Sequence, residues 1–280
     1  MKTGCIIQAR MTSSRLPGKV LKTIDFKNDR SVLEQVVQRV KMVGSIDEII
    51  VATTVNADDD PVEKLADELG VAVFRGSEKD VLERYYLAAK EHDLDHVIRI
   101  TSDCPFLDPE IIGALVDLYF KEGSQYGSNC IRRTFPHGLD CEIVAFDVLK
   151  DVYENQTDPF YREHVTSYVT SHLDDFKTSS LEDDEDNSGV RVTVDTVNDY
   201  VLSCVLNELL MKEERPTSYK TLLGCFKARP YLPMINGDIL QKKKYDTEEE
   251  ELVAAVSLLE KQEMNRAADR LRKLTGETTI

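Results

Sequence analysis

The chain moves between two apolar rhythms. Short apolar runs at residues 4–9, 48–54, 71–74 and 96–101 have the length and β-branched content of buried strands. Between them apolar residues recur at steps of three and four over 31–43, 61–69, 80–92 and 109–121, which predicts amphipathic helices. The helix ends carry their own chemistry: Ser31 suits an N-cap with Glu34 closing a capping box, and Asp80 and Asp108 suit two more N-caps. Pro109 fits a first turn, and Gly70 a helix stop. Strands separated by helices imply βαβ units, hence an α/β fold with a mostly parallel sheet, right-handed crossovers and helices on its faces.

Beyond Gly123 the rhythm loosens. Residues 141–146 and 190–194 read as strands, and 160–172 and 197–211 as helices. Residues 174–189 hold seven acidic residues against one lysine, so this stretch is expected to be a solvated loop. From Thr247, the residues Leu252, Val256, Leu259, Ala267, Leu271 and Leu274 recur at helical spacing, interrupted at Glu263. This pattern predicts a C-terminal helix that either packs on the body or forms a dimer contact. Lys242-Lys243-Lys244 beside four glutamates reads as a charged linker. The expected organisation is one α/β domain over residues 1–235, then a charged linker and helix over 236–280.

A length of 280 residues fits one large domain, and 41% hydrophobic residues can furnish its core. The formal charge of −16 argues against general nucleic-acid binding, which relies on a broad basic surface. No uncharged apolar window reaches the length of a membrane span, and the first ten residues lack the apolar core of a secretory signal. A cytoplasmic location is expected. The six cysteines are scattered without a Cys-x-x-Cys pair and read as reduced structural thiols, not a zinc site or a disulfide framework.

Against this acidic background the N-terminus stands apart. Lys2, Arg10, Arg15, Lys19 and Lys22 occur with no acidic residue before Asp25. A strand that empties into a loop of small residues and spaced cations can wrap an anionic group such as a triphosphate, through backbone N–H groups and side-chain charge. Two further apolar runs each end in an aspartate, at Asp103 and Asp195. Ligands of open parallel sheets sit beyond the carboxyl ends of the strands. There the two carboxylates could hold Mg²⁺ together with phosphate oxygens, or each could merely cap the turn that follows. Pro105 makes a rigid turn after Asp103, and Asp108 reads as structural.

In His137-Gly138-Leu139-Asp140-Cys141-Glu142 the two acids share a face of a strand and would either hold sugar hydroxyls or face solvent. Arg162-Glu163-His164 reads as a salt-bridged helix cluster or a substrate contact. His92, His96 and His172 show no metal-ligand spacing. No Gly-x-Ser-x-Gly elbow, Gly-x-Gly-x-x-Gly fingerprint or P-loop is present, which weakens hydrolase, dehydrogenase and ATPase readings.

The run from Ile7 through Gln8-Ala9-Arg10-Met11-Thr12-Ser13-Ser14-Arg15-Leu16-Pro17-Gly18-Lys19 to Leu21 resembles the opening of SpsF-type spore coat polysaccharide biosynthesis proteins. These belong with the cytidylyltransferases that include the CMP-sialic acid and CMP-Kdo synthetases. Ala52-Thr53-Thr54, Arg75-Gly76-Ser77, Asp80-Val81-Leu82-Glu83-Arg84-Tyr85-Tyr86 and Arg99-Ile100-Thr101-Ser102-Asp103-Cys104-Pro105 continue the resemblance. The 137–142 run, Arg162-Glu163-His164-Val165 and Thr193-Val194-Asp195-Thr196 carry it in order to about residue 210.

The resemblance implies a Rossmann-like nucleotidyltransferase fold of the GT-A type. It also implies Mg²⁺-dependent transfer of CMP from CTP to a sugar or sugar acid, with release of pyrophosphate, for surface-polysaccharide or glycan synthesis. It places Gln8, Ala9, Arg10, Lys19, Thr53, Gly76, Ser77 and Asp103 on the nucleotide, with Arg10, Arg15, Lys19 and Asp103 carrying the chemistry. Asp103 and Asp195 would bind the metal, and Asp140, Glu142 and Arg162 the acceptor. Two other readings stay open: a GT-A glycosyltransferase that uses a finished nucleotide sugar, and a nucleotide-binding module without turnover.

Overall fold

Side chains of residues 5–7 alternate across a sheet. Cys5 and Ile7 enter the apolar layer on one face, Ile6 enters the layer on the other, and all three are fully buried. They belong to β1 (Thr3–Gln8). The computed structural model describes residues 1–213, 217–237, 239 and 247–275, in two compact units, Met1–Gly237 and Asp238–Ile280.

In the first unit β1 is followed by a hairpin, β2 (Thr23–Asp25) and β3 (Arg30–Ser31), then by α1 (Val32–Val40), β4 (Glu48–Thr54) and α2 (Asp60–Glu68). Next come β5 (Ala72–Gly76), α3 (Val81–Glu91), β6 (His96–Thr101), α4 (Pro109–Glu122) and β7 (Tyr126–Ser128). The rest comprises β8 (Glu142–Ala145), α5 (Phe146–Asn155), α6 (Pro159–His164), α7 (Ser167–Ser171), β9 (Thr178–Ser180), α8 (Val197–Lys212) and α9 (Tyr219–Ala228). The large sheet has the order β5-β4-β1-β6-β8-β7-β9, in which β8 alone runs against its neighbours.

Leu33, Val36, Val37 and Val40 of α1, Val62 of α2, and Ile112 and Leu115 of α4 pack on one face. Leu82 and Tyr85 of α3 and Val148 and Val152 of α5 pack on the other. The chain proceeds from β1 outward to β4 and β5, then returns to β6 on the opposite side of β1. A reversal of this kind opens a crevice beyond the carboxyl ends of the strands, where such sheets bind ligands.

The helix ends follow the sequence closely. Ser31 Oγ accepts from Glu34 N at 3.2 Å, Asp80 caps α3 at 2.8 Å, and Asp108 caps α4 at 2.8 Å. The Glu34 carboxylate lies 3.7 Å from Arg30 and does not close a capping box. The helix predicted over 160–172 is two short helices, broken at Val165, whose φ of 49° carries its buried side chain into the layer under α3. Phe146 ends the strand predicted over 141–146 by opening α5.

Residues 190–194 form no strand of the large sheet. Their N–H groups divide between two segments, Val192 N donating to His137 O and Val194 N to Asp103 O, each at 2.7 Å. The acidic stretch contains β9, whose Ser179 is buried, so that part of it is sheet edge instead of solvated loop. The second unit holds α10 (Glu248–Lys261) and α11 (Asn265–Thr275), separated at Glu263 by a φ of 56°. The lysines 242–244 and the side chain of Leu274 lie outside the described residues. All six cysteines are free thiols, and no helix among the described residues is long and apolar enough to cross a membrane.

Candidate active site

The basic loop begins where β1 stops, and hydrogen bonds fix its course. Ala9 N donates to Ala52 O at 3.1 Å, and Met11 N to Asp59 Oδ1 at 2.6 Å. The loop then doubles back: Gly18 N donates to Met11 O at 3.0 Å, with Gly18 at a φ of 66° that glycine adopts without strain. This turn swings Lys19 across the mouth of the crevice.

There Lys19 Nζ lies 2.7 Å from Asp103 Oδ2 and 2.8 Å from Asp195 Oδ1, with its side chain 12% exposed. Asp103 follows β6, and Thr101 Oγ1 donates to its Oδ1 at 2.6 Å. Asp195 follows the segment that Asp103 O and His137 O hold in place. Arg15 and Arg191 reach Asp195 Oδ2 at 3.1 and 3.0 Å. Burial disfavours the Lys19 ammonium, but the two aspartates outweigh it and raise its pKa. Burial likewise works against the Asp195 carboxylate, yet Lys19 and Arg15 bring its pKa down to about 2.

Two carboxylates that converge on one cation form a donor set of hard oxygens and fit Mg²⁺, which takes one or two carboxylates and fills its other positions with water and phosphate oxygens. Among the described residues there is no cluster of three or more metal-ligating side chains.

The structure distributes the remaining predicted residues around this centre. Arg10 makes no hydrogen bond or ion pair with any described residue, while Gln8 Oε1 accepts from Arg99 at 3.5 Å. Thr53 is fully buried at the end of β4, with its hydroxyl unpartnered. Gly76 closes β5, and Ser77 Oγ accepts from Asp80 N at 3.2 Å. Asp140 precedes β8 and binds Arg133 through both oxygens, at 2.6 and 2.9 Å. Glu142 is 8% exposed and is held by Arg99, Tyr126 and Thr166. Arg162 binds Asp80 and the carbonyl of Tyr153, over whose ring it lies.

The sequence reading gave no role to four arginines: Arg84, Arg99, Arg133 and Arg191. Two of them, Arg99 and Arg191, are a lone charge within an apolar run (Val97 to Ile100, Val190 to Val194), a pattern that singles out the position without saying what the charge meets.

Comparison with known proteins places the chain in a family. The sequence model of the cytidylyltransferase family matches residues 4–266, further than the resemblance read from the motifs. An uncharacterized protein of Methanocaldococcus jannaschii is 36% identical over 89% of this chain and 100% of its own length. The spore coat polysaccharide biosynthesis protein SpsF of Bacillus subtilis is 35% identical over 70% of this chain and 82% of its own. A cytidylyltransferase structure from Leptospira borgpetersenii superposes with a TM-score of 0.78 at 33% identity, covering 86% of this chain and 100% of that one. These matches do not favour the glycosyltransferase alternative. The fold is the Rossmann-like nucleotidyltransferase fold, and the chain belongs to the cytidylyltransferase family.

Proposed function

We propose that this protein transfers CMP from CTP to a sugar or sugar acid with release of pyrophosphate, in a Mg²⁺-dependent cytoplasmic step of surface-polysaccharide or glycan synthesis. The observation that carries the reading is the meeting of Asp103, Asp195 and Lys19 at the strand reversal, under a loop that also bears Arg10 and Arg15. The similarity to SpsF, a spore coat polysaccharide biosynthesis protein, supports the place in polysaccharide synthesis.

Attack of an acceptor oxygen on the α-phosphorus places negative charge on the phosphate oxygens and on the departing pyrophosphate. The protein then has mainly to position and to neutralise. Lys19 and Arg15 bring cations to that charge, and Arg10 makes no hydrogen bond or ion pair with any described residue. A divalent ion on Asp103 and Asp195 would supply further charge at the α-phosphate. Gln8, Ala9, Thr53, Gly76 and Ser77 border the nucleoside.

On the acceptor side Asp140, with its side chain 38% exposed, is open to substrate hydroxyls. Glu142 and Arg162 would act there through Arg99 and Asp80, the groups they orient. Pyrophosphate release from CTP and Mg²⁺, measured against a panel of sugars and sugar acids, tests the reading. Lys19→Ala and Asp103→Asn are expected to lower kcat about a hundredfold or more, the effect of deleting one transition-state donor, with the fold retained. Near-normal turnover in either variant removes that residue from its role.

A further inference from the structure

Arg84 stands on α3 in surroundings that do not use it. It is 2% exposed, with Leu82 and Tyr85 on the buried side of the helix, and neither Nε nor Nη1 has a hydrogen-bond partner. Burial weakens its hold on its proton, and Arg10 adds to the effect. Its acidic neighbours are engaged elsewhere. Asp59 is bound by Met11 N and by Thr54, and Glu78 by Thr12 and Asn56. An apolar residue would fill the position without leaving donors unpaired. An arginine retained there calls for an acceptor that comes with a ligand.

Its place in the sheet says which part of the ligand. The Arg84 stem lies against Gly76 at the carboxyl end of β5, where an added Cβ would stand 2.8 Å from Arg84 Cγ. Lys19, Arg15, Asp103 and Asp195 gather beyond β6, three strand spacings away across β1 and β4, or roughly 14 Å. The phosphates belong with those charges, so the nucleoside of the same molecule extends toward β4 and β5. Asp59 and Glu78, whose fields reach Arg84, would repel a phosphate there but accept a neutral ring. Cytosine offers adjacent acceptors at O2 and N3, which match the guanidinium fork as the O6 and N7 of guanine do. Uracil carries N3–H in that place and would set donor against donor.

We propose that Arg84 receives the O2 and N3 edge of the cytosine ring and makes the site prefer CTP to UTP, an inference that rests on the nucleotidyl-transfer reading above. The test is calorimetric titration of CTP, UTP, 3-deaza-CTP (N3 replaced by C–H) and inorganic triphosphate into the wild type, Arg84→Met and Arg84→Lys. Wild type is expected to bind CTP about tenfold or more tighter than UTP and 3-deaza-CTP, the discrimination typical of one bidentate contact. Arg84→Met should bind the three nucleotides alike, with its affinity for triphosphate unchanged and its Tm no lower. Arg84→Lys should lose most of the preference, because an ammonium lacks the fork.

Equal loss of CTP and triphosphate binding in Arg84→Met would put Arg84 on the phosphates and overturn the inference. An unchanged CTP to UTP ratio in that variant would overturn it as well. If Arg84→Met does not fold, the wild-type response to 3-deaza-CTP decides: a wild type that prefers CTP to UTP but ignores the N3 change refutes the contact. A wild type that binds no nucleotide refutes nucleotidyl transfer itself, and the inference falls with it.

Discussion

His137 joins two stretches of chain, its N–H donating to Val190 O at 2.9 Å and its carbonyl accepting from Val192 N at 2.7 Å. Burial, with the charge of Arg133 beside it, lowers its imidazole from the ordinary 6.5 to about 4. A group whose pKa falls on folding supports the fold above its unfolded value and opposes it as pH drops toward the folded one. Stability should therefore decline as pH falls from about 6.5 to about 4, and His137→Gln should flatten that limb in a series of Tm values against pH. A limb of unchanged slope in the variant would assign the decline to other groups. At this scale Asp103 and Asp195 were legible because a polar residue that closes an apolar run has few uses other than turns and ligands, and Lys19 because it belongs to a basic stretch with no acidic residue before Asp25. The partners of Arg99 and Arg191 were not, because an arginine in an apolar run has the same one-letter pattern whether it points to solvent or to an ion pair, and Arg84 beside Glu83 reads as an ordinary charged pair on a helix.

Among the elements, the long helices and the four parallel strands β1, β4, β5 and β6 were readable, since each is long enough to show its period and is punctuated by caps. The three-residue strands β7 and β9 are too short to show one, and α9 was passed over as well. Residues 190–194 alternate like a strand but divide their hydrogen bonds between His137 and Asp103, an arrangement that only the tertiary fold defines. Gly138 makes that arrangement possible. It has a φ of 104°, and a Cβ there would stand 2.5 Å from Thr193 N and 2.8 Å from Val192 C, backbone atoms that cannot step aside. Gly138→Ala combines backbone strain with overpacking and should cost on the order of 2 kcal/mol or more in denaturant unfolding. Because the displaced segment leads directly to Asp195, the variant should also lose activity beyond what its stability loss explains. Full stability in Gly138→Ala would mean that the segment is held by other means.

At the scale of the molecule, every candidate catalytic and binding residue lies in the first of the two units. A protein of residues 1–237 should thus fold with a Tm close to that of the full chain and bind CTP with similar affinity. Loss of binding in the truncated protein would show that the second unit contributes to the site. The order of the strands bears also on how the molecule is made. β1 is made before the other strands of its sheet, yet one of its two neighbours begins only at His96, and the second aspartate that holds Lys19 follows it by 176 residues. At roughly 5–20 residues per second, Lys19 waits on the order of 10–35 s for that partner. Until then the basic loop that follows β1 carries its charge without the carboxylates that later hold it, so the part of the chain proposed to grip the substrate is the part that most needs shielding during synthesis.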